Sequence, residues 1–169
     1  MNIMMKLLIA IILLILNNYV IANSNTQPLE IYAQKVKIDQ ARHKSEYIGN
    51  VRISQGETHL LAQKAILYST NDNKIKKALA FGDSKNTQAH YWTQLSINKP
   101  PLHAYANMII YNPDSHVIKL IGNARVVNGD NILMATKINY NTLTQHVIAQ
   151  GNQETQVFIS LKHVEKYKQ

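Results

Sequence analysis

No cysteine occurs in the 169 residues, so the fold must hold without disulfides, and no lipid-modified cysteine can tether the amino terminus. Long apolar runs are lacking too. The longest, from Leu7 to Leu16, is about half of the roughly 20 residues that a membrane-crossing helix needs. Acidic side chains are scarce, 10 Asp and Glu against 18 Lys and Arg, which leaves a formal charge of +8. The seven histidines, at 43, 59, 90, 103, 116, 146 and 163, never fall at H-x-x-x-H or H-E-x-x-H spacing. There is no G-x-S-x-G elbow and no phosphate-cradling glycine loop. A non-enzyme is therefore expected, with no catalytic residue, metal ligand or cofactor.

The amino terminus, "MNIMMKLLIAIILLILNNYVIANS", carries one positive charge at Lys6, then the apolar run, then polar Asn17 and Asn18. Val20 and Ala22 place small residues at positions −3 and −1 of a cut before Asn23. This order predicts a cleaved secretory signal peptide over residues 1–22; a retained segment would instead be a membrane anchor. Cleavage removes Lys6 and no acid, leaving one positive charge fewer than +8, and delivers a soluble chain to the periplasm or beyond. Export removes nucleic acid from the partners that a basic chain would attract. A membrane surface or an anionic lipid head group remains.

Residues 49–64, "GNVRISQGETHLLAQK", are nearly repeated at 122–137 as "GNARVVNGDNILMATK". A shift of 73 residues pairs Pro28 with Pro101, Leu29 with Leu102, Tyr32 with Tyr105, Ala33 with Ala106 and His43 with His116. It goes on to pair Ile48, Gly49, Asn50 and Arg52 with Ile121, Gly122, Asn123 and Arg125, then Gly56, Leu60, Ala62 and Lys64 with Gly129, Leu133, Ala135 and Lys137. An internal duplication is the simplest account. A smaller unit, alanine followed by a polar residue, Lys or Met, and two spaced apolar residues, starts at Ala33, Ala62, Ala106 and Ala135.

The periodicity is that of strands. Leu29, Ile31 and Ala33 alternate with polar residues, as do Leu60 with Ala62, Leu102 with Ala104 and Ala106, and Leu133 with Ala135. After each alanine the apolar set slips by three, to Val36 and Ile38, Ala65 and Leu67, Ile109 and Tyr111, and Ile138 and Tyr140. Strand side chains have period two, so this slip predicts a bulge or corner beside each alanine. Tyr47, Gly49, Val51 and Ile53 alternate without a slip, like Leu120, Gly122, Ala124 and Val126. Turn signals "QGE", "NDNK", "NPDS" and "NGDN" punctuate the chain, and no segment after residue 22 has a helical period. The expectation is an all-β stack folded over so that two sheets face each other, with free strand edges at both ends.

These segments, "PLEIYAQKVKID" with "YIGNVRISQGETHLLAQKAILY" and "HAYANMIIYN" with "LIGNARVVNGDNILMATKINY", resemble the OstA-like (LptA) family of periplasmic lipopolysaccharide transport proteins, from about Gln27 to Gly151. The resemblance implies a twisted, half-open β-jellyroll of about sixteen short antiparallel strands over 23–161, with a frayed tail at 162–169. It implies an apolar interior that takes the lipid A acyl chains of lipopolysaccharide, and head-to-tail self-association. The partners so implied are an inner-membrane LptC-like subunit and the N-terminal domain of an outer-membrane LptD-like translocon. Carried over by position, the lipid-contacting strand matches Leu29, Ile31 and Ala33. Further interior positions match Val36, Ile38, Tyr47, Val51, Ile53, Tyr111 and Val126. Ordinary core packing competes with lipid contact at each of them. The stretch from Gly82 to Pro101, with the single tryptophan Trp92, departs from the family pattern.

Arg52, Arg125, Lys35, Lys64 and Lys137 recur at repeat positions. They would meet lipid phosphates if they lined the open rim. Alternation puts Arg52 and Arg125 on the outer face instead. Three readings stay open: a lipid conduit, an interaction module with a filled interior, or a membrane-anchored LptC-like subunit of the same pathway.

Overall fold

The computed structural model describes residues 27–71, 74–83, 87–94, 98–141, 143–144 and 146–162. The expected signal peptide and the tail beyond Lys162 lie outside the described residues. Twelve strands follow in chain order: β1 (Glu30–Tyr32), β2 (Lys35–Asp39), β3 (Lys44–Gln55), β4 (Thr58–Ser69), β5 (Ile75–Phe81) and β6 (Ala89–Thr93), then β7 (Leu102–Ala106), β8 (Met108–Asn112), β9 (Val117–Asn128), β10 (Asn131–Asn141), β11 (His146–Gln150) and β12 (Phe158–Ser160). Among the described residues there is no helix, as expected from the missing 3.6-residue period. All pairings are antiparallel and join the strands into one hydrogen-bonded network.

That network has two faces because the four long strands change partners midway. The first half of β3 pairs with β2 and its second half with β1. β4 passes from β6 to β5, β9 from β8 to β7, and β10 from β12 to β11. Sheet I is thus β2, β3, β4, β5, β8, β9, β10 and β11, and sheet II is β1, β3, β4, β6, β7, β9, β10 and β12. Counted by halves, the long strands turn twelve elements into the sixteen short ones of a half-open jellyroll.

The fold between the sheets is a seam, and the sequence marks it. Gly49 and Asn50 lie opposite the single residue Gln63 in the β3–β4 ladder, and Gly122 and Asn123 lie opposite Thr136 in β9–β10. Both pairs take left-handed φ, +81° and +46° in the first repeat and +79° and +48° in the second. Two residues against one is a bulge, which bends the strand. The extra residue thus lies in β3 and β9, which the sequence pattern reads as unbroken alternation, while their partners β4 and β10 carry the phase slip after Ala62 and Ala135. Across the seam the Gln34 N–H donates to the Gly49 carbonyl (3.0 Å) and the Asn107 N–H to the Gly122 carbonyl (2.9 Å). The duplication is therefore structural, repeated down to the backbone angles of His43 and His116, +47° and +52°. Gly56 and Gly129, at φ +56° and +58°, open the two-residue hairpin loops, where a glycine in first position matches the twist of the flanking strands.

Each end of the stack leaves strand edges unpaired among the described residues: β1 and β2 at one end, β11 and β12 at the other. Exposed large apolar residues gather there. Leu29, Tyr32, Val36 and Ile38 lie at the first end, and Ile148, Val157, Phe158, Ile159 and Leu161 at the second. Lys162 is tied down, its N–H donating to Asn131 Oδ1 (3.0 Å) and its ammonium pairing with Asp130 (2.7 Å).

Candidate functional site

The register aligns inward-facing residues into rungs that cross every strand. In sheet I one rung runs through Val36, Tyr47, Ala65, Ala80, Ile109, Leu120, Ile138 and Ala149. A second, nearer the open rim, runs through Ile38, Ser45, Leu67, Ala78, Tyr111, Ile118, Tyr140 and Val147. The facing rung of sheet II is Ile31, Ile53, Leu60, Tyr91, Ala104, Val126, Leu133 and Ile159. Ala62, Ala89, Ala106, Ala124 and Ala135 line the seam together with Val51, which pairs with Ala62. An apolar surface thus runs from one open end to the other.

The two repeats fill that interior differently. In the second, Leu102, Ile118, Val126, Ile138 and Tyr140 are fully buried and the sheets close on each other. In the first, Ser45, Ala65, Leu67 and Ala78 occupy the positions of Ile118, Ile138, Tyr140 and Val147. The smaller side chains leave an apolar cavity of about 110 Å³ between the sheets, lined by Ile31, Ile53, Leu60 and Tyr91 from one and by Ala78, Ala80 and Tyr111 from the other. Its lining of apolar side chains suits small apolar groups.

Few polar groups reach the interior. Thr58 and Thr93 share a hydrogen bond (2.8 Å) at the rim of sheet II, and both hydrogen-bond the Tyr91 hydroxyl, which burial nonetheless pushes well above its ordinary pKa. Burial also raises Tyr111, with help from Asp114, and raises Tyr140, so these phenols remain neutral. The buried Tyr140 hydroxyl has no partner among the described residues. Among those residues no cluster of three His, Asp or Glu is placed to hold a metal.

The ten residues singled out from the sequence fall into three groups. Val51, Ile53, Tyr111 and Val126 are buried on the inner face. Ile31, Ala33 and Tyr47 are partly buried around Val51 and Ile53. Leu29, Val36 and Ile38 are 44%, 49% and 68% exposed, yet Val36 and Ile38 share the inner rungs and Leu29 borders the cavity. They stand at the uncovered end of the interior. Sequence reasoning missed Leu60, Ala65, Ala78, Ala80 and Tyr91 as wall residues. Tyr91 lies in the segment that departs from the family pattern, yet "AHYWT" alternates buried and partly buried residues, a strand signal that was present.

The repeated basic residues point outward. Arg52 lies 5.5 Å from the ring centre of Tyr32, and Arg125 lies 4.6 Å from that of Tyr105, at equivalent places in the two repeats. Lys64 pairs with Glu46 (3.5 Å), which also pairs with Lys44; the hydrogen bond from Lys44 holds the Glu46 carboxyl below its usual pKa. Between the two arginine pairs runs a ladder of stacked rings, His59 on Trp92 (4.8 Å), Trp92 on His90 (4.7 Å) and His90 on Tyr105 (4.2 Å). His90 Nε2 and His103 Nδ1 share a hydrogen bond (3.0 Å). Burial, then the neighbouring His103 and Arg125, lowers the His90 pKa to about 4.

This architecture has known counterparts. The crystal structure of LptH from Pseudomonas aeruginosa, described as the LptA homologous periplasmic component of the lipopolysaccharide transport device, superposes with a TM-score of 0.67. The match covers 81% of this chain and 96% of that one at 22% identity, a likeness of fold. In sequence, the chain is 26% identical to the lipopolysaccharide export system protein LptA of Haemophilus influenzae over 78% of its length and 74% of the relative's. It is 27% identical to the export system protein LptH of Pseudomonas aeruginosa over 73% of its length and 68% of the relative's. Residues 30–146 match the family described as "LptA/(LptD N-terminal domain) LPS transport protein". With most of its strands inside that match, the chain belongs to the LptA/LptD N-terminal domain family of lipopolysaccharide transport proteins.

Proposed function

We propose that the protein is a periplasmic carrier that binds lipopolysaccharide by its acyl chains and passes it along the interior between the two sheets. One observation carries the reading: a continuous apolar inner surface that crosses all the strands, with a cavity already present toward its first end. Sheltering acyl chains there avoids about 0.8 kcal/mol for every methylene otherwise exposed to water. The lipid-contacting set is then Leu29, Ile31, Ala33, Val36, Ile38, Tyr47, Val51, Ile53, Tyr111 and Val126, joined by Leu60 and Tyr91. Unpaired edges at β1/β2 and β11/β12 support head-to-tail stacking of protomers. The same edges would engage an inner-membrane LptC-like subunit at one end and the N-terminal domain of an LptD-like translocon at the other, by strand addition. Direction comes from outside the chain, since an apolar surface favours neither end.

The packed second repeat favours a competing reading in which the interior is simply a core and the ends join partners. Photo-crosslinking separates the two. Probes at Leu29, Ile53 and Tyr111 should yield lipopolysaccharide adducts in living cells, while an outward probe at Arg52 yields none. Folded protein without adducts at the three inner sites would favour the filled interior.

A further inference from the structure

From Ala78 to Phe81 in β5 and from Met108 to Tyr111 in β8 both faces of the strand are apolar. Ala78 and Ala80 point inward, while Leu79 and Phe81 point away from the interior; Ile109 and Tyr111 point inward, while Met108 and Ile110 point away. Strands that are apolar on both faces are normally covered on both. The register places Ile66, Leu79 and Ile110 in one outer rung of sheet I and Phe81, Met108 and Ile121 in the next. All six are partly exposed. They form a patch across four adjacent strands, about 15 Å at roughly 4.8 Å per strand. It is central, far from the free edges, and nothing in the transport reading uses it.

Charge identifies what would cover it. The same two rungs continue into Lys35, Lys37 and Lys64 on one side and Lys119 and Lys137 on the other. Their one carboxylate is Glu46, already paired with Lys44 and Lys64. The patch is thus an apolar centre between two groups of lysines, and its central strands are paired on both sides. A second copy laid face to face would set lysine against lysine. A laterally uniform anionic surface with apolar depth satisfies both features at once, because lysine stems can lie along the apolar patch while their ammonium groups meet phosphates.

We propose that the outer face of sheet I docks side-on to an anionic phospholipid bilayer, leaving both strand-edge ends and the interior free. The proposal does not depend on the interior carrying lipid. It is tested by co-sedimenting the full chain with phosphatidylcholine vesicles, with and without phosphatidylglycerol. Binding should require phosphatidylglycerol and weaken in salt. It should drop about fivefold for each lysine removed near the surface, hence roughly 25-fold in the double variant Lys119→Gln, Lys137→Gln. Phe81→Ser should weaken it as well, with circular dichroism confirming the fold of both variants. Ala65→Ile, which fills the interior without touching the outer face, should bind vesicles like the parent. Equal binding to neutral vesicles, no binding, or loss only in Ala65→Ile would overturn the proposal. So would undiminished vesicle binding by the folded lysine and Phe81 variants. Capture of an acidic amphipathic peptide in place of vesicles would assign the face to a protein and overturn it equally.

Discussion

Gly49 and Gly122 hold the bends that give the molecule two sheets, and two constraints fix their identity. Their φ values are left-handed, which costs other residues about 1–2 kcal/mol. A Cβ at Gly49 would also overlap the Gln34 side chain, whereas one at Gly56 would meet nothing closer than Gln27 Cγ at 3.4 Å. Gly56→Ala should therefore lose about 1–2 kcal/mol through its backbone alone, and Gly49→Ala a similar amount once the exposed Gln34 side chain swings aside; urea midpoints compare them. His90 offers a second test at this scale. An unfolded imidazole takes up its proton near about pH 6.5, whereas the folded one does so near 4. Between those values the unfolded state binds more protons, so stability present above pH 6.5 is lost as the pH falls toward 4. Thermal melts of His90→Gln should fall less steeply than the parent over that window. Parallel profiles would show that the ring ladder does not hold His90 neutral.

At the scale of elements, the terminal strands decide how copies join. In β12 the Leu133 to Ile159 pairing fixes one edge and leaves the other open. Adjacent residues of a strand direct their N–H groups to opposite sides, so of Phe158→Pro and Ile159→Pro one removes a bond to β10 and the other removes an outward donor. The outward variant should retain the monomer's melting temperature and form shorter assemblies in light scattering. Full-length assemblies from both would rule out strand addition at this end. The elements also show where local reading stopped: β3, β4, β9 and β10 were legible as alternating strands with slips at Ala62 and Ala135, whereas β6 was set aside with its unfamiliar flanks. Its membership of sheet II depends on pairing with β4, from Thr58 opposite Thr93 to Leu61 opposite His90, and with β7, which no local pattern encodes.

At the scale of the whole molecule, the duplication has given two halves with one backbone plan and different interiors. Ala65 and Ile138 are equivalent in the register, yet one borders a cavity and the other is packed. Ala65→Ile would import the second repeat's filling into the first. It should cost about 1–3 kcal/mol of stability, the usual range when methylenes are added at a buried position, and should sharply reduce lipopolysaccharide recovered with the purified protein. Undiminished lipid would place the binding surface elsewhere than the first-repeat cavity.

The amino-acid sequence by itself determined the all-β class, the repeat, the corner positions and the inner face of most strands, because all of these follow from a side-chain period of two and from glycine's freedom at positive φ. It also carried the family resemblance. Tertiary structure alone decided that Val36 and Ile38 stand at an open end, that Tyr91 forms a wall, that the cavity lies toward the first end, and that Leu79 and Phe81 face outward among lysines. Those properties depend on which strand lies beside which, and so on contacts between residues far apart in the chain. Leu29 and Leu102 make the point: aligned by the duplication, one is 44% exposed and the other fully buried, since only the second has strands on both sides.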